Sequence, residues 1–341
     1  MNLYEKLNYK LTPYIFNHSL DISKIDEVVI IRGYLIASKL IYNQLYNGYE
    51  IIQLNSDISP EKNLYFTTIS TDNTSQYFKI TSNGKILLIF NNNINKNAKT
   101  RINLTGITYT LAYGSRISLI NKWLPYSTDN RYPSIYRVNN LVFMSGTMIS
   151  GNNNISDNNS IFTVIPEVCI PKYPNKYIVS NGSTNCTIEI NKKGYAKVHN
   201  YNSNFVSLDG IFYLTYDALP LMKNIIDIDR ASISINPNKN IIKYKTFLNL
   251  DVIRSGFYQI NIIYGLLKLN GVTNNHIGWN LIGTFPIKHS PDVDLQFKSY
   301  CNNTIVPIKI TNNGNILIYI SHFEIFNESV LNITGISYSK M

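Results

Sequence analysis

The sequence predicts an all-β protein built as three tandem jelly-roll-like β-sandwich modules. Short segments that alternate apolar and polar residues, bounded by Asn, Gly, Pro or Ser, run through the chain, as is typical of strands with one buried and one solvated face. One such segment also recurs around a glycine: residues 331–338 repeat the pattern of residues 102–109 and 206–213. Three closing strands of one pattern indicate three modules.

Three further features keep the same order in every copy. An early strand carries a glycine, a short apolar run ends at a proline, and a hairpin turn carries a second glycine. In chain order these are Gly33, Pro60 and Gly84, then Gly146, Pro171 and Gly194, then Gly265, Pro291 and Gly314. The proline follows the early glycine by 25 to 27 residues, and the hairpin glycine follows the proline by 23 or 24. Such regularity indicates internal repetition of a whole small domain.

Each hairpin glycine lies between two alternating strands, in residues 78–88, 188–198 and 308–318. The first and third copies carry Asn-Gly, which is the strongest short hairpin signal because both central residues of a type I′ turn adopt positive φ. The second copy carries Lys193-Gly194 instead. We therefore predict a hairpin at all three places, with type I′ turns at the Asn-Gly pairs.

The repeat divides the chain into four parts. Residues 1–26 form an N-terminal leader or docking arm without a repeat counterpart, residues 27–114 the first module, residues 115–216 the second, and residues 217–341 a linker and the third module. We predict one helical turn, at residues 216–224. The polar loop at residues 150–160 is interpreted as a solvated turn in preference to a binding loop.

Composition limits the classes of function. The 341 residues carry a net charge of +10, but the Lys and Arg residues are scattered, which favours a solvated surface over a nucleic-acid or other anion site. Three dispersed cysteines indicate reduced structural thiols, with pairing of Cys169 and Cys186 as an alternative. Because the start lacks a signal-peptide pattern and no apolar stretch reaches membrane-spanning length, we expect synthesis in a cytoplasm.

No catalytic constellation is apparent. The histidines have no carboxylate or cysteine partner at ligand spacing and are interpreted as isolated surface residues; they are His18, His199, His276, His289 and His322. Asp227 with Asp229, and Asp292 with Asp294, place two carboxylates on one side of an extended segment, as calcium binding or a glycosidase would need. Both uses normally require more convergent groups, so we predict a non-enzyme without cofactor or metal.

Aromatic residues are plentiful, with 26 Tyr, 14 Phe and 2 Trp. An exposed Tyr or Trp offers a sugar ring an apolar face and a polar edge. Packing is nevertheless the favoured interpretation for both Trp123 and Trp279. We name Trp279, Asp292 and Asp294 as candidate ligand contacts.

The motifs resemble the β-sandwich knob modules of bacteriophage fibre and receptor-binding proteins. The third copy carries the matching pattern: a Trp-containing entry at 279–286, a glycine strand at 264–267, a hairpin at 308–318 and the closing strand at 331–338. The first module lacks the tryptophan, and the second has Lys192-Lys193-Gly194 in its hairpin. All three modules fall under the resemblance.

The resemblance implies a virion component, often trimeric, used for adhesion or for capping the particle. We therefore expect a non-enzymatic virion protein of a tail fibre, head fibre or baseplate. Its expected partners are other virion proteins, a host-surface glycan or protein and two further copies of itself, without nucleic acid or membrane insertion. The leader is expected to dock to the particle and the third module to face the cell. The alternatives are a capsid or tail decoration or adaptor protein and, less favoured, a polysaccharide-degrading enzyme.

Overall fold

The fold is described by a computed structural model for most of the chain. The described residues are 5–6, 9–43, 47–70, 72–89, 99–126, 132–138, 141–151, 160–171, 174–182, 184–202, 205–215, 228–232, 243–246, 251–255, 260–264, 266–270, 276–302, 304–322, 329–333 and 336–339. Within them the chain forms β-strands and short 3₁₀ helices, and every strand pair is antiparallel. The predicted all-β class is confirmed. The predicted helical turn at 216–224, the loop residues 152–159, Gly265 and Gly335 lie outside the described residues.

The first sheet group covers residues 5–110. Its strands are β1 (Glu5–Lys6), β2 (Tyr9–Leu11), β3 (Ile15–Asn17), β4 (Asp21–Ile25), β5 (Val28–Arg32), β6 (Tyr34–Ala37), β7 (Tyr42–Asn43), β8 (Gly48–Leu54), β9 (Leu64–Ile69), β10 (Ser75–Ile80), β11 (Lys85–Leu88), β12 (Thr100–Asn103) and β13 (Ile107–Thr110). They form three sheets, in the orders β1-β4-β5-β13, β2-β8-β11-β10-β9 with β7 on β8, and β12-β6-β3.

The second sheet group covers residues 115–214. Its elements are β14 (Ser115–Arg116), β15 (Trp123–Pro125), β16 (Ser134–Val138), β17 (Leu141–Ser145), β18 (Thr147–Ser150), β19 (Ile161–Val164), η1 (Glu167–Cys169), β20 (Asn175–Ser180), β21 (Asn185–Ile190), β22 (Tyr195–His199), β23 (Val206–Ser207) and β24 (Ile211–Leu214). The sheet orders are β14-β16-β17-β24, β15-β18-β23 and β19-β22-β21-β20.

The third sheet group covers residues 228–339. Its elements are β25 (Ile228–Ser232), β26 (Lys243–Thr246), β27 (Asp251–Ser255), β28 (Ile260–Tyr264), β29 (Leu266–Asn270), β30 (Gly278–Thr284), η2 (Ile287–His289), β31 (Leu295–Cys301), β32 (Thr304–Ile310), β33 (Asn315–Ile320), β34 (Ser329–Asn332) and β35 (Ile336–Ser339). They form the orders β25-β27-β28-β35 and β26-β29-β34-β31-β32-β33-β30.

The three groups share one pairing scheme. The closing strand pairs with the early strand in each, as β13 with β5, β24 with β17 and β35 with β28. A second four-stranded ladder also recurs, as β8-β11-β10-β9, β19-β22-β21-β20 and β30-β33-β32-β31. The sequence repeat therefore corresponds to a repeat of strand topology, while the division into three modules stays a prediction.

The N-terminal leader has a repeat counterpart after all. Its strands β1 and β4 extend the sheet of β5 and β13, as β14 with β16 and β25 with β27 extend the equivalent sheets. Strand β3 pairs with β6 in the way that β15 pairs with β18. Strands β1 to β4 are therefore the opening strands of the first group, and the role of residues 1–26 as a docking arm stays a prediction.

The three predicted hairpins are present, but their turns are not of type I′. Among Asn83, Gly84 and the equivalent pairs, only the glycines have positive φ, between 81° and 85°. In the first turn the Gly84 N–H donates to Thr81 O, and the Thr81 N–H donates to Lys85 O, both over 2.9 Å. The same two bonds recur around Gly194 and Gly314. Each turn is therefore a three-residue loop that ends in a left-handed glycine.

The hairpin glycine holds the turn that precedes the repeated proline. Its carbonyl accepts a hydrogen bond from Leu54 N in the first group, Ile165 N in the second and Phe285 N in the third, at 2.8, 2.8 and 3.1 Å. A Cβ at Gly84 would lie 2.2 Å from Ser59 Oγ, and a Cβ at Gly314 would lie 2.4 Å from Phe285 O. Close approach and positive φ together explain why this position is glycine.

The closing strand holds the same turn from the other side. The buried Tyr109 hydroxyl donates to Ile58 O over 2.7 Å, and the buried Tyr338 hydroxyl donates to His289 O over 2.6 Å. The second group departs from this pattern, because the buried hydroxyl of Tyr213 has no hydrogen-bond partner. We call the bond from the closing-strand tyrosine to the proline turn the tyrosine anchor.

Each group has its own cluster of buried hydrophobic residues, drawn from residues 15–109, 117–213 and 263–338. By compactness the chain forms two units, residues 1–220 and 221–341, so the first and second groups share a unit. Cys169, Cys186 and Cys301 are free and buried, as predicted from their spacing. The part of the chain that the structure describes contains no helix with the length and hydrophobicity needed to cross a lipid bilayer.

The buried Asp209 carboxylate joins the first two groups. One oxygen accepts from Gly146 N over 3.2 Å, and the other accepts from Tyr65 N over 2.9 Å and Ser207 Oγ over 2.7 Å. In the first group the equivalent side chain, that of Thr105, accepts from the early glycine through Gly33 N at 3.0 Å. The carboxylate thus keeps the local contact of the repeat and adds a bond to β9, the edge strand of its sheet.

Loss of the tyrosine anchor is expected to destabilise only those groups that have it. Tyr338→Phe removes the bond to His289 O and should lower the free energy of unfolding by about 1–2 kcal/mol. Tyr213→Phe removes a buried hydroxyl without a partner and should leave stability unchanged or raise it. Urea unfolding followed by tryptophan fluorescence measures both effects. Each variant is made in a single-tryptophan background, which keeps Trp279 for Tyr338→Phe and Trp123 for Tyr213→Phe. Equal losses in the two variants would contradict the anchor.

Asp209→Asn should loosen the junction between the first two groups. The amide cannot accept from both backbone N–H groups, and charge-assisted bonds of this kind each contribute about 1.5–3 kcal/mol. Hydrogen exchange of the Tyr65 amide is expected to accelerate by about tenfold or more, because about 1.4 kcal/mol corresponds to a factor of ten. Amides in the interior strand β21 serve as the internal control and should keep their protection.

Candidate functional site

Trp279, the first predicted ligand contact, lies on the outer part of the third sheet group. It pairs with Tyr319 across β30 and β33, and the two rings meet edge to face with centroids 5.3 Å apart. The Lys309 ammonium lies 4.8 Å from the indole centroid, at cation–π distance. The indole is half-buried among these neighbours, which fits the packing interpretation.

Asp292 and Asp294, the other predicted contacts, lie exposed between η2 and β31. The Asp294 carboxylate accepts from Asn312 N over 3.0 Å, at the hairpin end of the sheet. Trp279 pairs with Tyr319 on β33, whereas the hairpin end of the sheet lies at Asn315, four residues earlier on the same strand. Trp279 is therefore about 13 Å from the hairpin end. The structure does not bring the three predicted contacts together. Of the other acidic pair, Asp227 lies outside the described residues and Asp229 lies on β25.

The interpretation of the histidines as isolated surface residues is wrong for three of them. His199 Nε2 lies 3.0 Å from Glu189 Oε2, and Lys176 Nζ lies 3.4 Å from the same oxygen. His276 and His289 are buried. Glu189 and His199 are ten residues apart in the sequence, and their side chains meet because β21 and β22 are neighbouring strands of one sheet. Over the described ranges, no group of three or more His, Cys, Asp or Glu side chains is arranged to hold a metal ion.

A cleft of about 260 Å³ opens where the first and second sheet groups meet, within the unit of residues 1–220. Its walls come from the segment that follows the first proline turn (Pro60 to Leu64), from the end of β13 with the connection to β14, and from β16 and β17. The closing loop with Asp209 and Gly210 also lines it. The contacts that fix the repeat and the junction therefore also fix the shape of the cleft.

A close backbone contact sets one rim of the cleft. A Cβ at Gly114 would lie 2.6 Å from Ile135 O, so only glycine lets the connecting segment approach β16 this closely. Immediately after it, Arg116 pairs with Ser134 across β14 and β16. Tyr113, Gly114 and Arg116 all line the cleft.

Two exposed tyrosines stand at the mouth. Tyr113 has 77 % of its surface exposed, and the neighbouring Glu61 carboxylate raises the pKa of its phenol. Tyr132 is 45 % exposed, and the Arg116 guanidinium lies 4.0 Å from its ring centroid. The rim thus offers one open aromatic face, one aromatic face covered by a cation, and a carboxylate.

The interior of the cleft combines apolar and hydroxyl groups. Buried Phe143, Met144 and Ile211 contribute apolar surface. Ser134 Oγ and Ser145 Oγ lie 2.9 Å apart on the same wall. The charged side chains of the lining are Lys62, Arg116, Glu61 and Asp209, which cancel formally although the whole chain carries +10. The cleft is suited to bind a small, uncharged, amphipathic ligand; its lining offers no evident nucleophile with an adjacent base.

The cleft is not evident from the sequence, because its residues come from positions up to about 150 apart and from two copies of the repeat. One signal was present in the sequence: the second copy has Asp209 where the first and third have Thr105 and Thr334. A departure of one copy from its own repeat marks a position with an additional role. No family model matches this chain, and no curated protein matches it either.

Glu189, His199 and Lys176 form a cluster, here called the Glu189 cluster, that makes the stability of the second group sensitive to acid. The His199 hydrogen bond, together with Lys176, lowers the pKa of Glu189 from 4.5 to about 2, against the opposing effect of burial. A carboxylate whose pKa is depressed by folding stabilises the fold above its unfolded pKa, and this contribution disappears as the pH falls from about 4.5 towards 2. Because the cluster is half-exposed, we expect a contribution of about 1 kcal/mol or less.

Glu189→Gln should therefore reduce the loss of stability between pH 5 and pH 3. The measurement is the shift in urea midpoint between the two pH values, compared with that of the unchanged protein. Glu167→Gln, which removes an exposed carboxylate from η1 of the same group, is the matched control. An equal reduction in both variants would assign the effect to net charge and not to the cluster.

Proposed function

We propose that this protein is a non-enzymatic structural component of a bacteriophage virion, in a tail fibre, head fibre or baseplate, and that it attaches the particle to the surface of the host cell. The observation that carries the proposal is the open cleft whose mouth bears the exposed rings of Tyr113 and Tyr132. Exposed aromatic side chains on loops that a rigid scaffold positions are typical binding contacts. The resemblance of the repeat to phage knob modules supports the same conclusion.

The cleft shifts the proposed attachment surface from the third module to the first two sheet groups. A single cleft of this size binds weakly. A homotrimer on a particle would present three such clefts, and several particle-borne trimers would multiply weak contacts into firm attachment. The proposal therefore includes a trimeric assembly that other virion proteins hold on the particle.

An adaptor that contacts only other virion proteins is the second candidate function. It is favoured by the exposed Phe16 and Tyr14 on and beside β3, which is the edge strand of the order β12-β6-β3. Tyr14 has a φ of 70°, a backbone conformation that is unfavourable for an aromatic residue. The Ser38 N–H donates a hydrogen bond to the Tyr14 carbonyl over 2.9 Å. Exposed aromatic residues at a strand edge suit a protein partner.

Cell binding by the purified protein distinguishes the two candidates. Fluorescently labelled full-length protein is incubated with a panel of bacterial strains, and cell-bound fluorescence is measured. We expect binding to a subset of strains, reduced about tenfold by Tyr113→Ala. Tyr195→Ala removes another exposed tyrosine, which lies on β22 outside the cleft, and should leave binding unchanged.

Binding to no strain, together with incorporation of the protein into particles, would favour the adaptor. Binding that Tyr113→Ala and Tyr195→Ala reduce equally would keep adhesion but move it away from the cleft. Release of reducing ends from a bound polysaccharide would contradict the non-enzymatic proposal.

A further inference from the structure

We infer that the cleft binds a neutral, hydroxyl-rich saccharide of one or two rings. The inference rests on the proposed function, since it names the receptor chemistry of the same cleft. It is argued from the size, lining, rim and charge of the cleft.

The size of the cleft limits the ligand. Its volume of about 260 Å³ lies just below the range of about 300–1,000 Å³ that is usual for drug-sized ligands. The cleft is also open to solvent, and the exposed residues Glu61 and Arg116 belong to its lining. A ligand of one or two rings fills it, and a longer chain can leave through the mouth.

The lining calls for a ligand with two characters. Phe143, Met144 and Ile211 offer apolar contact, whereas Ser134 and Ser145 offer hydroxyl groups that both donate and accept. A purely apolar ligand would form no hydrogen bond with the two hydroxyl groups, and a purely polar ligand would make no apolar contact with the hydrophobic wall. A sugar ring presents an apolar face and a periphery of hydroxyl groups, and it satisfies both.

The rim supplies the stacking surface and the acceptor that a sugar ring needs. Tyr113 is the more exposed ring, with 77 % of its surface exposed against 45 % for Tyr132. One face of Tyr132 is already covered by Arg116, so Tyr113 is the better platform. The Glu61 carboxylate also lines the cleft and can accept from a pair of adjacent sugar hydroxyl groups.

Charge decides against anionic ligands. The two basic side chains of the lining are balanced by Glu61 and Asp209, and the Arg116 guanidinium is engaged with an aromatic ring. A phosphate or nucleotide would approach the Glu61 carboxylate at the mouth and find no cluster of cations to offset the repulsion. The lining of the cleft is thus formally neutral, although the whole chain carries a net charge of +10.

The test titrates the full-length protein with methyl glycosides of glucose, galactose, mannose and rhamnose, with N-acetylglucosamine, and with glucuronate and inorganic phosphate as anionic comparators. Saturation-transfer NMR reports binding and gives the dissociation constant. We expect at least one neutral sugar to bind. Tyr113→Ala should weaken binding about tenfold, whereas Tyr113→Phe, which keeps the ring, and Tyr195→Ala, which lies outside the cleft, should change it by less than about twofold.

The outcomes separate the saccharide from the adhesion proposal. Cell binding that depends on Tyr113 without binding of any neutral sugar overturns the saccharide inference and keeps adhesion. Sugar binding that depends on Tyr113 without binding to any strain keeps the saccharide site and overturns adhesion. Binding of glucuronate or phosphate alone, or sugar binding that survives Tyr113→Ala, overturns the inference of a neutral saccharide in this cleft.

Discussion

The fold depends on the way the proline turns are held, from two sides in the first and third groups and without the tyrosine bond in the second. A hairpin glycine accepts a bond from the residue before the turn, and a closing-strand tyrosine donates to a carbonyl within it. The hairpin belongs to one sheet and the closing strand to another, so the turn ties two sheets of a group together around the core. Each bond contributes only about 1 kcal/mol, but satisfying buried backbone groups avoids a larger penalty and leaves few alternative arrangements. This explains why glycine, proline and tyrosine recur in step while most other positions vary.

The second copy shows what happens when this arrangement changes. The Tyr213 hydroxyl has no hydrogen-bond partner, and the turn residue beside it is Cys169, whose thiol pKa is raised by burial. In the same copy the threonine of the closing loop is replaced by Asp209, which reaches the backbone of the first group. The copy that lacks the tyrosine anchor is thus the copy that contributes the charged junction, and its core and its contact with a neighbour have changed together.

The repeated features of the fold could be predicted from sequence because they are local. A glycine between alternating strands specifies a hairpin wherever it occurs, and all three hairpins are present. The turn type was wrong because Asn83 and Asn313 allow positive φ without requiring it, and the extra loop residue lets glycine alone adopt it. The opening strands were missed because their pairing with β5 and β6, not their own sequence pattern, identifies them. Trp279 was named as an aromatic platform and Asp294 as one of a carboxylate pair, and neither argument could show that about 13 Å of strand lies between Trp279 and the hairpin end where Asp294 binds.

The cleft could not be predicted because it is a property of two copies in contact and not of either copy alone. Tyr113 and Gly114 lie in the connection between the two groups and Arg116 on the short strand β14 that follows it, while Pro60 and Gly146 belong to the repeated features. Side chains from the connection and from the repeat therefore meet in one cleft. Tandem duplication of a stable β unit creates such a place without a change in the unit itself, because the junction has no counterpart inside a single copy. A surface that arises in this way can change its side chains at a few connection residues while the bonds that maintain the fold stay as they are.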